Sequence, residues 1–231
     1  MRVIAIDGPA ASGKSSTARG VAERLGWAHL DSGALYRALT LATLDNLGET
    51  AGGRGEAWSP QRIVALAEEL PVRLVLVGDG FRPEVAGVDV EAAIRTPRVT
   101  AGVSEVAALP AVRDWVNRRQ REAAAACPDG VVVDGRDIGT VVFPGAPLKV
   151  FLTATPGARA ERRLAQRGDP IEPERLRRET EALAARDATD QARPVAPLRP
   201  APDAVVLDTT RLSLEEQVAR VVALARQRIP V

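Results

Sequence analysis

The chain opens with a short apolar segment, a loop rich in small residues, and a segment with helical periodicity. VIAI (3–6) contains no polar residue, as expected for a parallel strand that is buried on both faces. Gly8 to Ser15 then matches G-x-x-x-x-G-K-[ST], a loop whose backbone N–H groups cradle nucleotide phosphates between a strand and a helix. Lys14 to Leu25 places apolar residues on one helical stripe. The sequence therefore predicts a nucleoside triphosphate site at one edge of an α/β domain.

Four further segments have the apolar pattern of buried strands, and they alternate with predicted helices. These strand segments are 27–32, 130–135, 148–153 and 204–208. Helices are predicted at 32–47, 60–70, 111–126, 156–167, 173–192 and 213–227, with Ser32 expected to cap the first. This order predicts one three-layer α/β/α domain over residues 1–231, built around a central parallel five-stranded sheet.

Residues 59–95 interrupt this alternation. A predicted helix is followed by VRLVLVG (72–78), a Gly-Asp-Gly turn and a second extended segment through Val88, which is the pattern of a hairpin. We expect a small inserted subdomain here. The Gly-rich stretch at 48–58 before it is predicted to be a loop.

Charge and cysteine content argue against several classes of protein. A formal net charge of +1 disfavours a protein that wraps nucleic acid by bulk attraction. The single cysteine, Cys127, allows neither an internal disulfide nor a cysteine zinc cluster, and favours a cytoplasmic location. No apolar run approaches the roughly 20 residues that span a membrane. We expect a monomer that acts on small molecules.

Within the proteins that carry this loop, other signals point to a kinase. The two lysines, Lys14 and Lys149, do not lie in the guanine-reading Asn-Lys-x-Asp of regulatory GTPases, and the signature of transporter ATPases is absent. Arginines instead lie in segments near the ends of predicted strands, where ligands of open parallel sheets bind, and the guanidinium fork suits a second anionic site. They are Arg37, Arg113, Arg136, Arg186 and Arg193. A phosphate acceptor is already ionised and needs no general base. His29, the single histidine, lies inside a predicted strand and is expected to be a core or packing residue.

The segments in their order resemble the bacterial cytidylate kinases, nearly end to end. The matching segments are DGPAASGKSS, LDSGALYRA, VSEVAALPAVR, VVVDGRDIGTVVFPGAPLKVFL, RDATDQARPVAPL and LDTT. The resemblance implies a kinase that transfers the γ-phosphoryl group of ATP directly, in line, to CMP or dCMP in pyrimidine nucleotide metabolism. It also implies that residues 59–95 are the nucleoside-monophosphate-binding subdomain and that 157–168 form a short lid.

Several site residues follow from the motif or from this resemblance. ATP is expected on Gly8, Pro9, Ala10, Ala11, Ser12, Gly13, Lys14, Ser15 and Ser16, with Arg163 and Arg167 of the lid. Ser15 would hold Mg²⁺, and Asp134 would orient the ion through water. The acceptor is expected on Ser32, Arg37, Ser104, Arg113, Arg136, Asp137, Arg186, Asp190 and Arg193. Of these, Arg37, Arg136 and Arg193 would clamp the phosphate, Ser104, Arg113 and Asp137 would face the cytosine ring, and Arg186 and Asp190 would approach the sugar. Lys14, Arg136 and Arg163 are the expected catalytic residues.

Three alternatives stay open at this point. The arginines of the lid are equally well explained as a solvated helix face. The acceptor could be another small molecule, such as UMP or a shikimate-like acid. A nucleotide-binding module without turnover, such as an RNA-associated regulator, is the third possibility, and the net charge of +1 weighs against it.

Arg186, Asp190 and Arg193 share one helical face if the helix continues to Pro194.

Overall fold

A computed structural model describes residues 1–48, 58–193 and 195–229. These residues form two compact units, one made of Met1–His29 with Pro128–Val231 and the other of Leu30–Cys127. The strands are β1 (Val3–Asp7), β2 (Ala28–Asp31), β3 (Arg73–Val77), β4 (Gly80–Val85), β5 (Val88–Asp89), β6 (Val131–Gly135), β7 (Leu148–Thr153) and β8 (Val205–Asp208). The helices are α1 (Lys14–Leu25), α2 (Ser32–Leu47), α3 (Pro60–Glu69), α4 (Pro97–Val106), α5 (Pro110–Ala125), α6 (Pro156–Arg167), α7 (Pro173–Gln191) and α8 (Leu214–Arg228).

The first unit is built on the parallel strands that the sequence predicts. The strand order is β2-β6-β1-β7-β8, with β1 parallel to both β6 and β7, and β7 parallel to β8. Every residue of β1 is buried, which explains why VIAI has no polar position. The register pairs Ile6 with Asp134 and Asp7 with Gly135, so the carboxyl ends of β1 and β6 lie side by side. The α/β fold with a mostly parallel central sheet is confirmed.

Helices α1 and α8 pack on this sheet through apolar side chains. Val21 of α1 and Val221 of α8 are fully buried in one cluster with Ile4, Leu148 and Leu152 of the strands. Burial of each such side chain stabilises the fold by about 1.5–3 kcal/mol. The packing holds the first turn of α1, where the glycine-rich loop ends, firmly against the sheet.

The second unit has its own core. Leu39 of α2, Ile63 of α3, Val99 of α4 and Trp115 of α5 are buried together. β3 and β4 form the predicted hairpin, with Leu76 opposite Phe81 and Gly78 at φ 62° in the turn, and β5 pairs with β4. The predicted insert at 59–95 lies inside this unit, whose bounds are wider. Of the predicted loop at 48–58, residues 49–57 lie outside the described residues.

The structure differs from the sequence prediction at several helix ends. Asp31, not Ser32, caps α2, since its carboxylate accepts the N–H of Gly33 at 2.9 Å. Helix α7 ends at Gln191, so Arg193 lies beyond the helix and the expected helical face does not include it. Helix α4 was not predicted, although Thr96 caps it and a proline follows at its first position.

Candidate active site

The loop after β1 has the shape that its glycines predict. Gly8 has φ +149° and Gly13 has φ +93°, and both values disfavour any residue with a Cβ. A Cβ on Gly8 would come within 2.2 Å of the Leu152 carbonyl oxygen. The loop therefore lies directly against β7 and runs into the N-terminus of α1, where the helix dipole favours anions. Ser15 and Ser16 are exposed at that terminus.

Lys14 is buried, and its ammonium group donates to the carbonyl oxygen of Pro9 at 2.6 Å. Burial and then the charge of Arg136 lower the pKa of Lys14 well below its usual value, against the opposing effects of Asp134 and Asp7. A cation held in this way gains most when an anion enters the loop, because the anion offsets both unfavourable effects. This environment suits a lysine that binds a triphosphate.

Ser15 and Asp134 form the site at which Mg²⁺ was predicted. The hydroxyl of Ser15 donates to Oδ2 of Asp134 at 2.6 Å, so α1 and the end of β6 present two oxygen atoms side by side, one as a ligand and one able to act through water. Magnesium prefers oxygen ligands and keeps several waters, and in kinases it takes its other ligands from phosphates. Among the described residues there is no group of three or more His, Cys, Asp or Glu side chains that could hold a metal. The two oxygens fit an ion that is shared with a bound triphosphate.

Asp7, at the end of β1, is a buried carboxylate that the sequence prediction did not include in the site. Its oxygens accept the backbone N–H groups of Ile138 and Gly139 at 2.8 and 2.7 Å. Burial raises the pKa of Asp7 to about 6, against those two hydrogen bonds. Asp7 ties the segment after Asp137 to the strand that carries the phosphate loop. Asp7 and Asp134 both follow runs of apolar residues in their strands. This shared pattern is the sequence signal that could have placed Asp7 in the site.

Arg136, Asp190 and Arg193 form one ionic cluster beside the loop. Asp190 is buried, and its two oxygens accept Nε of Arg136 at 3.0 Å and Nη2 of Arg193 at 2.6 Å. Arg136 also donates from Nη1 to the carbonyl oxygen of Gly8 at 3.1 Å. Three predicted acceptor residues are thus brought together at the phosphate loop. Of the other predicted acceptor residues in this unit, Asp137 is buried and Arg186 is half-buried on α7.

The predicted lid lies on α6, which packs in a helical hairpin with α7. Arg163 and Arg167 both pair with Glu179 of α7, at 3.4 and 2.9 Å. The arginine that reaches the loop is Arg159, which was not among the predicted site residues. Its Nη1 donates to the Ala10 carbonyl at 3.2 Å and to Asp187 at 2.5 Å. Arg159 thereby anchors α6 and α7 to the loop, while nucleotide contacts of Arg163 and Arg167 stay a prediction.

The remaining predicted acceptor residues lie in the second unit. Nη1 of Arg37 donates to Oγ1 of Thr100 at 2.9 Å, and Ser104 is half-buried on α4. Arg113 is buried, donates to the Ala107 carbonyl at 3.1 Å, and stands 5.7 Å from the ring centroid of Tyr36. Nε2 of Gln120 donates to the backbone oxygen of Ser32 at 3.2 Å. The side chains of Arg37 and Arg113 are therefore oriented by their neighbours.

His29 is more than the packing residue that the sequence predicts. It is buried in β2, but its Nε2 lies 2.8 Å from Oδ1 of Asp134, the carboxylate beside Ser15. β2 and β6 are neighbours in the sheet, which brings this ring to Asp134, and no local pattern in the sequence reveals that contact.

Comparison with solved structures agrees with the fold. TT1252 from Thermus thermophilus superposes with a TM-score of 0.53 at 17% identity, covering 100% of this chain and 98% of that one. An uncharacterized protein from Eubacterium ventriosum superposes with a TM-score of 0.52 at 9% identity, covering 99% of this chain and 100% of the other. Identities this low support the shared fold alone. No helix in the described part of the chain is long and apolar enough to cross a membrane.

Comparison of sequences is more specific. The chain is 44% identical over 230 residues to the cytidylate kinase of Citrobacter koseri, covering 98% of this chain and 96% of the relative. The cytidylate kinase of Salmonella newport matches with the same identity and coverage. The family model for cytidylate kinase matches residues 4–227, which contain the phosphate loop, the carboxylates and the arginine cluster described above. The chain therefore belongs to the cytidylate kinase family.

Proposed function

We propose that this protein transfers the γ-phosphoryl group of ATP to CMP and dCMP. The observation that carries the proposal is the bond from Arg136 to the Gly8 carbonyl, because it joins the cluster with Asp190 and Arg193 to the phosphate loop. One site then holds a loop for a donor triphosphate and guanidinium groups for an acceptor phosphate. Membership of the cytidylate kinase family supports cytosine as the base.

The donor would bind on Gly8 to Ser16. Backbone N–H groups of the loop and the N-terminus of α1 attract the phosphates, and Lys14 would turn from Pro9 to the β- and γ-phosphates. Ser15, with Asp134 acting through water, would hold Mg²⁺, which when bound neutralises the charge that develops on the phosphates. Arg163 and Arg167 would contact ATP from α6.

Three groups of residues would bind the acceptor. Arg37, Arg136 and Arg193 would clamp its phosphate, with Ser32 nearby. Arg186 and Asp190 would approach the sugar. Ser104, Arg113 and Asp137 would face the base, and a carboxylate can accept from the amino group that cytosine has and uracil lacks. Two of these side chains, Arg113 and Asp137, are buried, which strengthens a hydrogen bond to the base.

The reaction requires that the two substrates are positioned and that the charge of the transition state is stabilised. It does not require a general base. The attacking oxygen belongs to the CMP phosphate, which is ionised at neutral pH and has no proton to remove. The bond from this oxygen to the γ-phosphorus forms as the bond to the β-phosphate oxygen breaks, and ADP leaves. Lys14 and Arg136 would stabilise the charge that spreads over the transferring group. We further propose that the protein acts as a monomer.

The test is release of ADP from Mg²⁺-ATP with CMP, dCMP, UMP, AMP, GMP, shikimate and no acceptor, measured side by side. We expect rapid release with CMP and dCMP and little without acceptor. A preference for UMP or shikimate would refute cytosine as the recognised base. Release that does not depend on an acceptor would show an ATPase, and binding of RNA without any release would show a regulator.

A further inference from the structure

The single histidine of the chain touches the carboxylate of the predicted magnesium site. Nε2 of His29 lies 2.8 Å from Oδ1 of Asp134, while Oδ2 of Asp134 accepts the Ser15 hydroxyl at 2.6 Å. His29 and Asp134 are 9% and 2% exposed. The carboxylate is therefore held from two directions, by a ring on one oxygen and by a hydroxyl on the other.

The direction of the histidine bond follows from the charge of Asp134. The Ser15 hydroxyl donates to Oδ2, as expected of an ionised carboxylate. An ionised carboxylate only accepts hydrogen bonds, so Nε2 of His29 must carry a hydrogen and donate it.

The two bonds to Asp134 serve different purposes when the triphosphate enters. The Ser15 hydroxyl is a predicted ligand of Mg²⁺ and would then orient its oxygen toward the ion. The imidazole has no such second task. It is a rigid planar donor on a buried strand. It therefore stays bonded to Asp134 and prevents the carboxylate from rotating. Without it, Oδ1 would be a buried oxygen with an unmet hydrogen bond, and the carboxylate would turn to find another donor.

We propose that His29 is a positioning residue for magnesium, holding Asp134 by Oδ1 so that Oδ2 stays beside Ser15, where it would orient the ion through water. The inference rests on the proposed function, since it takes Mg²⁺-ATP as the ligand of the loop. Outer residues that orient metal-binding carboxylates typically change metal affinity by about 10- to 100-fold when they are replaced. His29 acts through Asp134 and does not itself touch the substrate.

The first test compares His29→Phe, which keeps a ring but has no donor, with His29→Gln, whose amide can still donate. The dissociation constant of ATP is measured by calorimetry with excess Mg²⁺ and again with EDTA, and the ratio reports how strongly Mg²⁺ supports ATP binding. We expect His29→Phe to reduce this ratio about tenfold with the EDTA value unchanged, and His29→Gln to restore most of it.

Thr43→Val is the matched control, because Thr43 is fully buried and its hydroxyl donates to the Leu39 carbonyl within its own helix. It should leave the ratio unchanged. If His29→Phe weakened ATP binding equally with and without Mg²⁺, His29 would have a role in packing only. An unchanged ratio in a folded His29→Phe would overturn the proposal.

The second test needs no variant and remains decisive if His29→Phe fails to fold. With one histidine in the chain, ¹⁵N-labelled protein gives one pair of ring nitrogens. At about pH 8, long-range proton–nitrogen spectra should show a hydrogen on Nε2. A hydrogen on Nδ1 with a bare Nε2 would refute the donation to Asp134. Both measurements are independent of the acceptor, so a failed CMP assay would leave them interpretable.

Discussion

Nε of Arg136 donates to Oδ2 of Asp190 at 3.0 Å, although 54 positions separate the two residues in the chain. The other oxygen of Asp190 holds Nη2 of Arg193 at 2.6 Å. One buried carboxylate therefore sets the position of two arginines, and one of the two is bonded to the phosphate loop through Gly8. The acceptor side of the site is organised around this carboxylate.

Replacing Asp190 should cost more stability than replacing either arginine. Asp190→Ala leaves two guanidinium groups, with 22% and 14% of their side chains exposed, without their shared partner. Removal of one member of a buried ion pair costs about 3–5 kcal/mol. Arg193→Ala is the control, since Asp190 then keeps Arg136. Denaturant unfolding should rank Asp190→Ala as the less stable, and the reverse order would refute this organisation.

Lys14→Ala should abolish phosphoryl transfer while the protein remains folded. Loss of a group that stabilises transition-state charge typically costs about 10²-fold or more in kcat. Burial already disfavours the charged lysine in the free protein, so its removal should not lower the melting temperature. Arg19→Ala, which removes an exposed cation from the same helix, is the control. Turnover close to that of the unmodified protein would disprove the assignment of the phosphate loop.

Asp137→Ala should weaken the binding of CMP far more than the binding of ATP. A good hydrogen bond that distinguishes one base from another contributes about 1–3 kcal/mol, which corresponds to roughly 5- to 150-fold in the dissociation constant. The variant should also lose its preference for CMP over UMP. Separate titrations with each nucleotide measure both effects, with the exposed Asp129→Ala as control. Equal losses for CMP and ATP would contradict a role in reading the base.

The raised pKa of Asp7 predicts that stability falls as the pH rises. Its pKa is 3.8 in the unfolded chain and about 6 in the folded protein, so the neutral form is favoured by folding. The contribution is complete below the unfolded value and is lost as the pH rises through about 6, by about 3 kcal/mol. The free energy of unfolding, measured from about pH 4 to 7, should fall more in the unmodified protein than in Asp7→Asn. Parallel curves would show that Asp7 does not titrate in this range.

Gly8→Ala should disrupt the phosphate loop, because the new Cβ would meet the Leu152 carbonyl at 2.2 Å and φ is +149°. Backbone on both sides would have to move, so we expect loss of ATP binding and a lower melting temperature. In Gly157→Ala, nothing lies within 4 Å of the new Cβ, so we expect this variant to keep its melting temperature and its ATP binding. If both variants bound ATP normally, the close approach of the loop to β7 would be refuted.

Most secondary structure and the donor loop could be predicted because their signals are local. β7 and helices α1 and α6 have the predicted bounds, since runs of apolar residues, helical periodicity and flanking turn residues mark them. Helix α4 was not predicted, although Thr96 and Pro97 mark its start, because its ten residues carry only a short apolar stripe. The helix predicted at 173–192 ends within one residue of the end of α7 at Gln191, and only its conditional extension to Pro194 is wrong, since the charge pattern continues past the last helical residue.

By itself, the sequence determined the family, the strand-loop-helix unit at Gly8 to Ser16 and the set of arginines around it. Tertiary structure alone decided which groups these residues meet. Asp7 reaches Ile138 across 131 positions, and His29 reaches Asp134 across 105. Such contacts depend on which strands are neighbours in the sheet and on their register, and a shift of one residue would turn every side chain to the other face. Local sequence patterns determine where helices and strands form. The partners of buried charged groups are determined only when the strands assemble into the sheet.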